Sequence, residues 1–393
     1  MSAHVNPDIV EAGLVFMYDT GNRKSYVGEP TVNTAGTTGI ANSWNNSGTA
    51  AWSSDDTNVS RLFTNLPVFS MDKLTAGNSH IGIGSTSATV STEYTYSVYV
   101  WIPSSNSVNM AGNSPYFRPQ PANAGVGSLT YDGSSAWGTW PRDQWVRVSI
   151  TATTQATNVT SAYISCYLNT AGDKIYFTAP QFEQKGHATP FVNGTRSATQ
   201  GLIDRTNNTT IDISNASFDS NAQMTFDGTD DYINAAAFDM GTPTGITLEC
   251  FIRFNGSLDS ADRKVMHYNK TGGTNAVFQL RKGDSINRLM YQAHNGSQWY
   301  TMTDTDAVES DTWAHFMITH SGTSAIMYKN GVQSATATMG NLHWTNANNL
   351  LIGYRANSEY WKGDISIMKI YDRALTSAEV LQNFNAIKSR FGL

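Results

Sequence analysis

Cysteine is nearly absent from this chain: Cys166 and Cys250 are the whole complement in 393 residues. Two thiols exclude a disulfide framework, and both fall at apolar positions of expected strands, so they read as small buried hydrophobes. Charge is also scarce, at 14% of residues with a net value of −6 and no basic run, which excludes the electrostatic footprint of a nucleic-acid binder. Apolar runs such as Gly13-Leu-Val-Phe-Met17 are far too short to cross a bilayer, and no membrane span is expected. The opening MSAHVNPD lacks the basic and apolar regions of a secretory signal. A protein acting outside the cell would need another route there, such as assembly into a particle released on lysis. Glutamate is rare, with eight in the chain, and none has an acidic partner two or four residues along in an expected strand. That removes the carboxylate pair a glycosidase projects from one strand face. A nucleophile elbow, a phosphate-cradling glycine loop and an HExxH zinc helix are missing, so no catalytic residue is assigned and no enzyme activity is expected. Heptads are missing too, and no coiled-coil stalk can be argued.

What is present is Ser, Thr, Asn and Gly in abundance, with 18 Tyr and 10 Trp, the composition of a β protein with uncharged polar surfaces. In the stretch Met224–Arg373, MTFD and YI flank Asp-Gly and Asp-Asp, predicting a strand, a turn and a strand. Ile246, Leu248, Cys250, Ile252 and Phe254 alternate with Thr247, Glu249, Phe251 and Arg253. One face is thus apolar and the other mixed, as in a sheet half buried against a second sheet. Trp313, Phe316 and Ile318 open another strand, and Ile326–Lys329 runs into Asn330-Gly331, the pair best suited to a two-residue type I′ hairpin. Asp364–Tyr371 alternates again, and Thr376 with Glu379 forms a capping box before a helix to about Arg390, striped by Val380, Leu381, Phe384, Ile387 and Phe391.

FDGTDDYI, ITLECFIRF, DTWAHFMITHSG with AIMYKNG, LLIGYRA and WKGDISIMKIYDRALTSAEV, in that order, resemble the laminin-G-like or concanavalin A-like jelly roll. The resemblance covers about residues 200–376 and implies a two-sheet antiparallel sandwich. It implies no single function, because that scaffold hosts lectins, adhesion modules and glycosidases. GLVFMYDTGN, near the start, resembles the opening strand of the same family, which lies beside the closing strand. From about residue 31 a second β-rich segment intervenes: TYSVYVW, DQWVRVSIT and IYFTAPQFEQKGHATPF resemble the jelly roll of carbohydrate-binding modules in phage and bacterial surface proteins. The fold expected is therefore all-β, two antiparallel β-sandwiches of jelly-roll type, one inserted into the other, plus a short C-terminal helix. Residues 1–30 give an arm and first strand, 31–192 the inserted sandwich, 193–376 the main sandwich and 377–393 the helix. Prolines 103, 115, 119, 121 and 141 exclude a central strand within 102–144.

Sugar binding uses aromatic faces with amides and carboxylates beside them. Trp145, Trp313 and Trp361 stand at family marker positions and are read as core. The binding candidates lie in expected loops: His294, Trp299, Tyr300, His343, Trp344 and Tyr360 in the main sandwich, and Trp44, Trp52, Tyr116, Trp137 and Trp140 in the insert. Asp227, Asp230 and Asp231 crowd one turn, and Asp304 and Asp306 another; such turns would suit calcium, although Asp-Gly turns also form for backbone reasons alone. Apart from that cation, no cofactor is expected. The tail LQNFNAIKSRFGL is similar to the tails of jelly-roll proteins of tailed phages. The resemblance thus implies a multi-copy virion component of a capsid, collar or tail fibre, exposed on the particle surface, meeting other virion proteins and host-surface glycan. A purely structural connector and a glycan-degrading enzyme are the alternatives.

Overall fold

The computed structural model describes the chain except residues 1–7, 36–39, 45–49, 54–55, 76–78, 87, 108–115, 121–127, 131–140, 155–160, 169, 219–223, 270–275, 284–286, 345–348 and 356–358. Contacts divide it into two compact units, Met1–Pro30 with Ser197–Leu393, and Thr31–Arg196.

In the first unit, Lys362–Tyr371 is the organising strand. One edge pairs antiparallel with Gly245–Phe254. The other is shared by two strands: Leu14–Asp19 covers Ile367–Tyr371, and Met224–Asp227 covers Lys362–Asp364. The sheet continues through Trp313–Ser321, Ser324–Lys329 and Val332–Thr338. Asn330 and Gly331 turn the last hairpin with φ of 51° and 77°, the left-handed pair a type I′ turn requires. Gly363 is needed for a different reason: a Cβ there would lie 2.0 Å from the Arg253 carbonyl oxygen.

The facing sheet runs in the order Thr210–Asn215, Tyr232–Ala236, Asn349–Ile352, Arg263–Asn269, Ala276–Lys282, Arg288–His294 and Trp299–Ala307. The two strands of FDGTDDYI thus belong to different sheets, so the acidic turn carries the chain across the sandwich. Between the sheets lie Leu248, Cys250, Ile252 and Met368 from one side and Ile233, Tyr268, Phe278, Leu280 and Tyr291 from the other, all buried. Trp361 is buried with them, as read from the sequence, whereas Trp313 and Trp145 are only half-buried. Cys250 is a buried free thiol, its pKa raised first by burial and then by Glu249; of the side chain of Cys166 nothing is described.

For this sheet and the helix that follows it, two expectations need correcting. The mixed face of Gly245–Phe254 is not open: Thr247, Glu249 and Phe251 are as buried as their apolar neighbours. The C-terminal helix, Ser377–Ile387, lies over that face and continues as a 3-10 turn, Lys388–Phe391. In its stripe, Asn383 is buried and Leu381 is 47% exposed. The helix is capped as expected, Thr376 Oγ1 accepting from Glu379 N and Glu379 accepting from Thr376 N.

The second unit pairs Ala50–Ser53, Phe69–Lys73, Lys174–Glu183, Glu93–Trp101, Trp145–Thr153 and Ser128–Thr130 in one sheet, and Ile40–Trp44, Ser79–Thr86, Ser161–Leu168 and Tyr116–Gln120 in another. Tyr94, Tyr96, Val98, Val100, Val148 and Ile150 form its core with Phe69, Phe177 and Phe182. Tyr116–Gln120 and Ser128–Thr130 are edge strands, where Pro119 is tolerated. Trp44 and Trp52, expected in loops, stand instead in strands. Thr195–Arg196 pairs with Thr31–Val32 and so belongs to this unit, beyond the expected boundary at residue 192. The described strands of both units pair antiparallel and their one described α-helix is short and C-terminal, the all-β jelly-roll class expected.

Candidate functional site

A strand sends alternate side chains to opposite sides of its sheet, so the apolar inward set of the facing sheet leaves a second set pointing outward. On four successive strands the outward residue at one level is polar: His267, Gln279, Gln292 and Thr301 stand in register across the sheet. They form a hydrogen-bonded row. His267 Nδ1 lies 3.3 Å from Gln279 Oε1, Gln279 Nε2 donates to Gln292 Oε1 at 2.6 Å, and Gln292 Nε2 donates to Thr301 Oγ1 at 2.9 Å. The row crosses roughly 14 Å, three strand spacings, and passes from the buried His267 to the exposed Thr301. Asn234 extends it on the other side, in register with Leu351 and His267. His267 is held to about 4, first by burial and then by the Arg355 charge, so it is neutral and keeps one donor and one acceptor.

One step along the strands, the same face carries His294 and Trp299, directly paired with rings 5.1 Å apart and edge-on, and Asn269 with Asn349, whose Nδ2 donates to Asn269 Oδ1 at 3.3 Å. One step the other way it becomes charged: Arg281 and Lys264 are paired, and Asp262 accepts from both.

His294, Trp299, Tyr300, His343 and Trp344 are brought to one end of the main sandwich. They do not form one surface. His343 N donates to His294 O at 3.0 Å, and a Cβ on Gly296 would lie 3.0 Å from His343 Nδ1, so the loop after Met339 lies on the His294–Trp299 hairpin. Tyr300, next to Trp299, points the opposite way and lies against the core with Trp344. Trp344 also lines a separate cleft of ≈ 330 Å³ with Pro243, His320 and Leu342. Tyr360 stands at the opposite end of the sheet, stacked on Tyr354 at 4.6 Å, which meets Tyr232 at 4.8 Å; burial and then Tyr354 raise its pKa. The side chain of Tyr116 and all of Trp137 and Trp140 lie outside the described residues.

Asp227, Asp230 and Asp231 do converge, each offering an oxygen within 4.8 Å of the others, a set that would fit a hard cation. Their hydrogen bonds also have a backbone purpose. Asp227 Oδ1 accepts from Thr229 N and Asp230 N, and Asp231 Oδ2 accepts from Asp227 N, the pattern of an Asx turn. Asp304 and Asp306 lie in a strand rather than a turn. Glu249 is committed elsewhere: fully buried, it accepts from Lys369 Nζ at 2.8 Å and from Asn383 Nδ2 at 2.7 Å. Burial would raise its pKa, but Lys369 and His315 draw it down to about 2.

The outward row was missed in the sequence although its signal is there. MHYN, FQLRK and MYQAH each alternate an amide, imidazole or guanidinium with a core residue, and these strands were not singled out.

A family model described as the concanavalin A-like lectin/glucanases superfamily, of laminin-G type, matches residues 227–381. The main sandwich has that jelly-roll fold. No curated protein matches the chain. Among solved structures, it is similar to the receptor-binding domain of botulinum neurotoxin mosaic serotype C/D (10% identity, TM-score 0.40, 48% of this chain and 49% of that one). It is also similar to a carbohydrate-binding module, CBM40, of the Ruminococcus gnavus IT-sialidase, bound to α2,3-sialyllactose (16%, TM-score 0.31, 36% and 82%). The match thus spans about half of the neurotoxin domain. Identities and scores this low tie no residue of this chain to a role in those proteins.

Proposed function

We propose that the main sandwich recognises glycan across the outward face of its seven-stranded sheet, weakly at each copy and usefully through multiple copies. The hydrogen-bonded row His267–Gln279–Gln292–Thr301 carries this reading. Gln292 and Thr301, at the open end of the row, offer an amide and a hydroxyl that suit sugar hydroxyls, which both donate and accept; the buried His267 and Gln279 hold them in place, and Trp299 beside them offers a ring for stacking. The reading includes no bond-breaking step: the buried Glu249 is held by Lys369 and Asn383, and Asp227, Asp230 and Asp231 serve their own turn, with calcium as an optional occupant. The setting proposed is the surface of a phage particle, supported by the likeness of LQNFNAIKSRFGL to the ends of such proteins. The test is a glycan array and a cell-adsorption assay with the full chain presented multivalently, beside Trp299→Ala. Binding should fall about tenfold or more, about 1.4 kcal/mol per factor of ten, with the circular dichroism spectrum intact. A folded protein that adsorbs to no cell and no glycan sinks the reading in favour of a structural connector. Release of reducing ends would favour an enzyme, and absence of the protein from purified particles would refute the virion setting.

A further inference from the structure

The charged end of the outward face has more cation than it uses. Asp262 Oδ2 takes Lys264 Nζ at 2.9 Å and also Arg281 Nη1. Glu359 Oε2 lies 3.1 Å from Lys264 Nζ and 3.5 Å from Arg355 Nη1. Three cations thus face two carboxylates, and Arg355, half-buried, is the most loosely held. Among the described residues the hydrogen-bond inventory here is incomplete: Arg281 Nε, a donor, has no acceptor, and Asp262 Oδ1 and Asn234 Oδ1, both acceptors, have no donor, although all three atoms are shut off from water. Buried polar atoms without partners call for an explanation, a missing ligand among them. The surplus charge calls for an anion, and the partly exposed guanidinium groups of Arg281 and Arg355 suit a planar carboxylate. A cationic ligand would meet Lys264, Arg281 and Arg355 instead. The acidic turn lies at the same end of the sandwich, but Arg263 bridges it to the 360 loop through Gly228 O and Tyr360 O, without drawing on these three cations.

We infer that this end is a subsite for the carboxylate of an acidic glycan, with Arg281 and Arg355 as its specificity residues and the neutral rings extending along the amide row toward Trp299. This rests on the glycan reading above and narrows it to uronic- or sialic-acid-bearing chains.

The test uses the full chain and two matched pairs of probes: hexagalacturonate against its carboxyl-reduced hexamer, and a sialylated trisaccharide against the same sugar without its sialic acid. At least one acidic probe should bind tenfold or more tightly than its neutral partner, weaken several-fold between 50 and 500 mM salt as a charge contact does, and identify the source of the carboxylate. Arg281→Gln and, in a loop where folding is less at stake, Arg355→Gln should erase that preference, leaving neutral binding unchanged. Equal affinity for acidic and neutral probes, with both arginine variants indifferent and Trp299→Ala still impaired, overturns the subsite but leaves the glycan reading standing. Failure of the folded chain to bind any of the four probes overturns the subsite; failure on the wider array as well removes the reading beneath it.

Discussion

The two outward faces of the main sandwich begin from the same strand alternation and end differently. On the eight-stranded sheet, Glu249, His315 and Lys369 point away from the core as Gln279, Gln292 and Arg281 do on the other. There the C-terminal helix closes over them. Asn383 Nδ2 donates to Glu249 and to Tyr371 Oη, its Oδ1 accepts from Val10 N, and Tyr371 Oη donates to Val10 O. On the eight-stranded sheet the polar groups become a fastening because another element supplies partners for them, whereas on the other sheet they bond to one another along the row. What covers a strand decides the role of its polar residues more than the residues do.

The comparison breaks hardest at Lys369. Lys369→Met leaves Glu249 buried without its cation, which costs about 3–5 kcal/mol in comparable pairs; urea unfolding should show that loss while glycan binding, measured below the unfolding transition, is unchanged. A loss under 1 kcal/mol would mean that the closed face is not a fastening.

A smaller effect sharpens the contrast through pH. His267, lowered to about 4, and His315, lowered first by burial, stay neutral in the folded chain, whereas an unfolded histidine titrates near 6.5. Their folded pKa values lie below the unfolded one, so the stability they contribute is complete above 6.5 and is lost as pH falls toward the folded values. The window of Glu249 is lower, between 4.5 and about 2. Thermal unfolding should therefore come earlier at pH 5 than at pH 7.5, by up to about 2 kcal/mol for His267. His267→Gln should flatten part of that slope; a melting temperature equal or higher at pH 5 would contradict the assignment. Least of all, Leu381→Ser should change stability by no more than about 0.5 kcal/mol, because the side chain faces solvent; a large destabilisation would show a misplaced helix face.

The legible part of this molecule was its inward half. Ile246 to Phe254, the Asn330-Gly331 turn and the Thr376–Glu379 cap are set by local alternation and local hydrogen bonding, and the structure follows them. Leu381, placed in the expected stripe, is exposed and Asn383, outside it, is buried, because the helix stripe is completed by a buried polar network, which periodicity of apolar residues cannot register. The candidate aromatics were chosen as loop residues one at a time. Trp299 and Tyr300, adjacent in sequence, part company because a hairpin sends neighbours to opposite sides, and Tyr360 is separated from both by the length of a strand. The amide row depends on the register of four strands, which no single stretch contains.

One detail of the closed face bears on how the molecule could be mounted. Gln382 donates to the carbonyl of Asp8 and Asn383 grips Val10, so both ends of the described chain depart from behind the eight-stranded sheet. Any tether joined at either end would hold the sandwich from the side of its eight-stranded sheet.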